Sequence, residues 1–128
     1  MKKYQVIVEN TGTGFSAYFA DHPVFTTGNT LLELRLNLVE SMNLYLEEEG
    51  KTIRHTQLML ELDLGQFFRH YRVLNANFLA ERIGMNPALL SQYVRGRRKP
   101  TFQQTERIIQ GIRQIGKELH TLQLSVRN

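Results

Sequence analysis

The side chains best placed to do chemistry in this 128-residue sequence lie in one short stretch near residue 90. Small or hydrogen-bonding side chains recur there at the spacing of one helix face, and they are Asn86, Ala88, Ser91, Gln92 and Arg95. Groups of this kind can contact the edges of bases in the major groove of DNA. Gln92 is the best single candidate because glutamine can form two hydrogen bonds with adenine, while Ala88 can contact a thymine methyl group.

A basic run follows directly. Arg95, Arg97, Arg98 and Lys99 place four cations within five residues, and Pro100 ends the segment. Cations that bond phosphate oxygens supply salt-dependent affinity and hold a protein in register on the duplex, but they do not discriminate between sequences. A basic run alone is usually a solvated surface, so the prediction depends on its position directly after the polar face.

Two short helices joined by a tight turn would position these side chains. The first helix needs a small residue where the second passes close by, and Ala80 is that residue. Gly84, four residues later, supplies the positive φ that the turn requires. Leu90 and Tyr93 return apolar side chains to the shared core at i, i+3 spacing. Each feature is common alone, but together they predict a helix-turn-helix that binds DNA.

The second helix also has a recognisable start. Asn86 can accept a hydrogen bond at the N-cap, and Pro87 suits the first turn, where its missing N–H costs little. The remaining core positions of the helix pair are predicted to be Leu79, Ile83 and Met85.

The first half of the sequence has a different pattern. Residues 4–9, 15–20 and 24–27 are rich in β-branched and aromatic side chains and are separated by turn signals, which predicts three strands of a small antiparallel sheet. Thr30 and Glu33 match a capping box, so we expect a helix from there to about residue 49, stopped by Gly50. Its predicted apolar stripe is Leu31, Leu34, Leu38, Met42 and Tyr45, widened by Leu32, Leu36 and Val39.

Two segments leave the prediction open. Residues 55–62 alternate between apolar and polar side chains, which favours a fourth strand, although a linker that continues into the next helix also fits. Residues 121–126 alternate again and are a candidate terminal strand. The predicted fold class is therefore α+β, with a β-β-β-α domain at residues 1–60 and an all-α domain at residues 61–128.

The charge divides along the same line. Residues 1–60 have five Lys/Arg and seven Asp/Glu, a net charge of −2, whereas residues 61–128 have eleven and five, a net charge of +6. Such asymmetry suggests two modules with different partners, and the basic half suits a polyanion. No apolar run approaches the ~20 residues of a membrane span, the start lacks a signal-peptide pattern, and there is no cysteine. We therefore expect a cytoplasmic protein with no membrane partner.

The stretch from residue 79 to 100 resembles the lambda-repressor-like (Cro/CI, XRE-type) helix-turn-helix family. The similarity spans about residues 64–119. It implies a first helix at 64 to about 72, a second at 77–83, a recognition helix at 87 to about 95 and a closing helix at 101 to about 119. Pro87 and Ala88 stand where this family often has Gln, Ser or Thr, and Val94 stands where Glu is common. The departure implies fewer base contacts at the start of the recognition helix.

The first half resembles the N-terminal domain of HicB-type antitoxins, which has a truncated RNase H-like β-β-β-α fold. The resemblance rests on four segments, which are the strand at 4–9, the Gly-Thr-Gly-Phe-Ser-Ala-Tyr stretch at 12–18, the Asp-His-Pro turn at 21–23 and the Thr-Gly-Asn-Thr helix start at 27–30. Val24 and Phe25 follow the proline where the family usually has Gly-Cys.

Together the two resemblances imply an antitoxin with two partners. Its N-terminal domain would block a HicA-like toxin, a small basic ribonuclease, and its C-terminal domain would bind double-stranded operator DNA and repress the operon. A homodimer or higher oligomer is expected because one recognition helix contacts only a few base pairs. Candidate dimer seams are the N-terminal sheet, the closing helix and the terminal strand. The alternative is a free-standing DNA-binding regulator whose N-terminal domain dimerises or senses a ligand.

An enzyme is the less favoured interpretation. Nuclease chemistry of the RNase H type needs clustered carboxylates that hold two Mg²⁺ ions, and the candidates are Glu9, Asp21, Glu40 and Glu47. The histidines lack zinc-like spacing and suggest no catalytic triad; they are His22, His55, His70 and His120. The aromatic residues of the strands are expected in the core rather than in a stacking platform for RNA. We therefore expect no catalytic residue, no metal and no cofactor.

Overall fold

The computed structural model describes residues 1–127 of a mixed α+β protein; Asn128, the last residue of the expected second domain, lies outside the described residues. Its elements are β1 (Tyr4–Asn10), β2 (Phe15–Phe19), β3 (Phe25–Gly28), α1 (Leu31–Tyr45), β4 (Leu58–Glu61), α2 (Leu64–His70), α3 (Ala76–Ile83), α4 (Pro87–Val94) and α5 (Phe102–His120), with short 3₁₀ turns at Glu47–Glu49 and His55–Gln57. The chain forms two compact units, one ending at His70 and the other starting at Tyr71. In residues 1–127, no helix has the length and apolar character needed to cross a membrane.

The sheet of the first unit is mixed rather than antiparallel throughout. Its strand order is β3-β2-β1-β4, and the three strands predicted from sequence pair antiparallel. The ambiguous segment at 55–62 contains β4, which pairs parallel to β1 with Leu58 opposite Tyr4. A parallel neighbour needs a long crossover connection, and α1 is part of that crossover because it lies between β3 and β4 in the chain. The expectation of a purely antiparallel sheet was wrong for this edge.

Helix α1 covers the sheet through one narrow row of side chains. The Thr30 hydroxyl accepts a hydrogen bond from the Glu33 N–H at 3.0 Å, so the predicted N-cap is confirmed. Leu34, Leu38 and Met42 are fully buried at i, i+4, i+8 spacing. The expected widening of this stripe was wrong for two positions that remain mostly exposed, Leu32 at 69% and Leu36 at 63%. The side chains of these two leucines point away from the sheet, because the sheet covers only one side of the helix.

The end of α1 is shorter than predicted. The α-helix ends at Tyr45, and the chain continues as a 3₁₀ turn over Glu47–Glu49. Gly50 then ends this turn in the left-handed conformation, at φ 66°. The glycine therefore stops the helical segment as expected, after a tighter last turn.

Helix α2 belongs to the first unit, ten residues beyond the boundary expected after residue 60. Gln66 joins it to β1, because its Oε1 accepts the Asn10 N–H at 2.6 Å and its Nε2 donates to Glu9 at 3.0 Å. The ring of His70 lies 4.2 Å from that of Phe15, measured between centroids. Sequence similarity assigned this helix to the second domain, but its partners are on the sheet of the first unit.

Asp63 caps α2 and is held in its charged form. Its carboxylate accepts hydrogen bonds from the backbone N–H of Gln66 at 2.7 Å and from its side chain at 2.9 Å. Burial alone would raise the pKa of Asp63, but these hydrogen bonds and the charge of Arg69 outweigh it and lower the pKa below its ordinary value.

The second unit is built from α3, α4 and α5. Its buried apolar side chains are Leu79, Ala80, Met85, Leu90, Tyr93 and Ile108. Helix α5 packs tightly on α3 at Gly111, where an added Cβ atom would lie 2.4 Å from Cγ2 of Ile83. The candidate terminal strand does not form within the described part of the chain, since residues 122–127 have no strand pairing. Leu122, Leu124 and Val126 are exposed there.

Candidate nucleic-acid interface

The turn between α3 and α4 has the geometry that its residue types predict. Gly84 adopts a left-handed conformation with φ 72°, and Ala80 is fully buried. The N–H of Gly84 bonds the carbonyl groups of Ala80 and Glu81, and the N–H of Met85 donates to Ala80 at 2.8 Å. These bonds satisfy carbonyl groups at the end of α3 that would otherwise lack partners. The backbone at the end of α3 is therefore held by local hydrogen bonds.

Helix α4 begins as expected. The side chain of Asn86 accepts a hydrogen bond from the Ala88 N–H at 2.8 Å, and Pro87 occupies the first helical position. Leu90 and Tyr93 are buried. Because these two anchors are three residues apart, they fix which side of α4 faces the core, and the opposite side faces solvent.

The exposed side of α4 contains most of the predicted contact residues. We call the set Asn86, Ala88, Ser91, Gln92 and Arg95 the recognition face. Four of them are exposed, and Ser91 is half-buried beside the core. The Oδ1 of Asn86 is engaged in the cap, so its NH₂ group is the part that remains for a ligand. The face is therefore a row of small or planar side chains, mostly polar and mostly exposed to solvent.

The loop after α4 presents its cations to solvent. We call residues 95–99 the basic loop. Gly96 takes φ 74°, and the N–H groups of Gly96 and Arg97 donate to the carbonyl groups of Tyr93 and Gln92 at 3.1 and 2.9 Å. The backbone of the loop thus caps α4. Within residues 1–127, no hydrogen bond or ion pair engages the charged groups of Arg95, Arg97, Arg98 and Lys99.

A residue far along the chain supports the same turn. Nη2 of Arg107, on α5, lies 2.9 Å from the carbonyl oxygens of both Ile83 and Gly84. Arg107 is not among the residues predicted from the sequence. No local pattern points to it, because it looks like an ordinary cation on the polar side of a helix and its partners are 23 and 24 residues away.

The candidate catalytic groups are not gathered into a site. Glu9 accepts a hydrogen bond from Gln66, and Asp21, Glu40 and Glu47 are exposed. Over the described residues, no cluster of three or more His, Asp or Glu side chains could hold a metal ion. The pattern of the carboxylates therefore adds no support for nuclease chemistry.

The histidines and strand aromatics divide between core and surface. His22 lies 5.6 Å from the ring of Tyr4 and 6.0 Å from that of Tyr45, centroid to centroid. His55 and His120 are exposed. The core expectation holds for Tyr4, Phe15 and Phe19, which are buried, and fails for Tyr18 and Phe25, which are exposed.

These features bring the predicted DNA-contact residues to one side of α4 and the loop that follows it. Comparisons of the chain with known protein families, with curated proteins and with solved structures found no match.

Proposed function

We propose that the second unit binds double-stranded DNA through the recognition face and the basic loop, as a helix-turn-helix of the lambda-repressor-like type. One observation carries the proposal: a mostly polar, exposed helix face lies directly beside four exposed cations. No Asp or Glu occurs in the sequence between Glu81 and Glu106, so no carboxylate from this stretch offsets the positive charge. Polar groups of this kind suit base edges, and the cations suit phosphates.

The salt dependence of binding tests the role of the basic loop. Replacing both Arg97 and Arg98 with alanine should weaken binding to all DNA sequences similarly. It should also reduce the slope of log affinity against log salt by about two, because two phosphate contacts are lost. Fluorescence anisotropy with a labelled duplex at several salt concentrations measures both effects. A double variant of Arg113 and Lys117, which are exposed on α5, removes the same charge elsewhere and should leave the slope nearly unchanged.

Sequence discrimination tests the recognition face. Gln92→Ala should reduce the preference for a selected duplex over a random one by about 1–3 kcal/mol, because a specific base contact is lost. Equal losses of affinity on the two duplexes would mean that Gln92 does not contact bases.

From the first unit we further propose that the protein is a HicB-type antitoxin. It acts in the cytoplasm on a HicA-like toxin, and it represses its own operon as a dimer or higher oligomer. Its first four elements have the β-β-β-α order that the resemblance implies, and β4 and α2 follow them. Division after His70 increases the charge contrast, since the first unit has six Lys/Arg and nine Asp/Glu, for a net charge of −3. The rest of the chain has ten and three, for a net charge of +7. An acidic unit suits a basic toxin, and a basic unit suits DNA.

Purification of the full chain from its native cells tests the toxin partner. A small basic protein should co-purify, its expression alone should arrest growth, and co-expression of this chain should restore growth. A DNA shift assay with and without that protein then measures whether the two activities coexist. Purification of the chain alone, with DNA binding intact, would favour the free-standing regulator.

A further inference from the structure

Arg107 connects α5 to the turn that precedes the recognition face. Its Nη2 donates hydrogen bonds to two successive carbonyl groups, those of Ile83 and Gly84, at 2.9 Å each. Both lie at the C-terminal end of α3, where the helix dipole places partial negative charge. A guanidinium donor there forms charge-assisted hydrogen bonds, which are stronger than neutral ones.

The residues of α5 that follow Arg107 are packed against the rest of the second unit. Ile108, the next residue, is fully buried in the second unit. One turn further on, Gly111 lets α5 approach Ile83 so closely that a Cβ atom would lie 2.4 Å from its Cγ2. Helix α5 is therefore packed against the same residue, Ile83, whose carbonyl group Arg107 binds. The hydrogen bonds of Arg107 therefore connect α5 to the end of α3, and these two helices are already packed against each other.

The two carbonyl groups belong to the peptide planes that set the direction of the chain into α4. Gly84 is the one residue of the turn in the left-handed conformation, and glycine is the residue whose φ and ψ are least restricted. The cap from Asn86 to Ala88 is local to α4, so it can stabilise the helix start but cannot fix the angle between α4 and α3. Arg107 can fix that angle because it is anchored outside both helices.

We propose that Arg107 is a positioning residue that sets the direction of α4 relative to α3, and with it the alignment of the recognition face on DNA. The part that concerns DNA rests on the proposed function. Arg107 acts on the turn through backbone carbonyl groups. Its replacement should therefore change the preference between DNA sequences more than the overall affinity for DNA.

The test uses the full chain and three variants, Arg107→Ala, Arg107→Lys and, as a matched control, Arg113→Ala. Arg113 is exposed on the same helix, and within residues 1–127 no hydrogen bond or ion pair involves its side chain. Backbone amide NMR shifts of residues 84–88 are measured without DNA. Affinities are then measured for a duplex selected by the wild-type protein from a random library and for a shuffled duplex of equal composition.

Arg107→Ala should shift the amide signals of residues 84–88 and lower the affinity for the selected duplex by roughly ten-fold, the effect of one mismatched base pair. Its loss on the shuffled duplex should equal the small loss of Arg113→Ala. Arg107→Lys keeps a cationic donor and should recover part of the preference. Equal behaviour of Arg107→Ala and Arg113→Ala, with residues 84–88 unshifted, would overturn the inference.

Other outcomes separate the inference from the proposal on which it rests. If the wild-type protein selects no duplex, the DNA proposal fails, and the amide signals alone decide whether Arg107 sets α4. If Arg107→Ala does not fold, Arg107→Gln replaces it as a neutral donor. Equal losses for Arg107→Gln on both duplexes would make Arg107 a phosphate contact, and the inference would be wrong.

Discussion

In each unit of this protein, a glycine lets a helix pack closely against a neighbouring element. The atoms nearest the glycine are backbone atoms in the first unit and side-chain atoms in the second. A Cβ atom on Gly28 would lie 2.6 Å from the backbone nitrogen of Leu34, near the start of α1. A Cβ atom on Gly111 would lie 2.4 Å from a side-chain methyl group of Ile83. Backbone atoms inside a helix move only with the helix, whereas the Ile83 methyl group can also move through a small rotation about χ1, which is restricted for a β-branched residue in a helix. The approach at Gly28 therefore leaves less room for adjustment than the approach at Gly111, although both are tightly packed.

The first unit also has the larger buried core. In the described part of the chain, the core cluster of the first unit contains thirteen buried apolar residues, and six lie in the second unit. Because burial of apolar surface is the main stabilising term, we expect the first unit to resist unfolding more strongly. Specific contacts such as that of Arg107 should therefore contribute a larger share of the stability of the second unit.

The largest expected effect is that of Gly28→Ala. The added methyl group meets backbone and forces α1 away from β3, which should lower the free energy of unfolding by about 3 kcal/mol. Hydrogen exchange resolved by mass spectrometry should show loss of protection in β1–β3 and α1. An effect no larger than that of Gly111→Ala would remove the contrast between the two approaches.

A smaller loss is expected for Gly111→Ala, about 1–2 kcal/mol, because Ile83 can partly move aside. Exchange of peptides from α3 and α5 measures it. Gly116→Ala is the matched control on the same helix, since its Cβ atom would meet nothing within 4 Å, and it should stabilise α5 by up to about 1 kcal/mol.

A double variant makes this prediction sharper. Ile83→Ala removes the obstructing methyl group, so adding it to Gly111→Ala should cost less than the sum of the two single changes. Strict additivity would show that Ile83 is not what Gly111→Ala meets.

The smallest expected effect concerns pH and the cap of α2. Because the folded-state pKa of Asp63 is lowered, its carboxylate adds stability above the unfolded-state pKa of about 4. That stability is lost as the pH falls through the lower folded-state value. Asp63→Asn should therefore reduce the protection of α2 at pH 7 and make it less dependent on pH below 4. Parallel acid curves for the variant and the wild type would contradict this role.

Features set by neighbouring residues were predictable from the sequence. The helix starts at Thr30 and Asn86 depend on bonds that span two or three residues, and both form. Gly84 takes the positive φ expected of it. The exposed residues of α4 follow from the burial of Leu90 and Tyr93, because the period of a helix fixes the opposite side.

Features that depend on distant partners were not predictable. Alternation in residues 58–61 indicates a strand, but nothing local says that it pairs parallel to β1. Periodicity marks Leu36 as apolar on α1, but its exposure depends on how much of the helix the sheet covers. The same limit explains Arg107, whose acceptors are at the end of another helix. It also explains α2, because the resemblance implies a helix there without indicating its partner.

The attachment of α2 to the sheet decides where this protein can be divided into independently expressed fragments. A fragment that ends at residue 60 loses Glu61, which pairs with Ile7, and Gln66, which accepts the Asn10 N–H. It also exposes the ring of Phe15, which packs against His70 in the full chain. Exposure of this apolar ring favours aggregation. Cleavage after His70 avoids all three losses and leaves α3, α4 and α5 together in the other fragment.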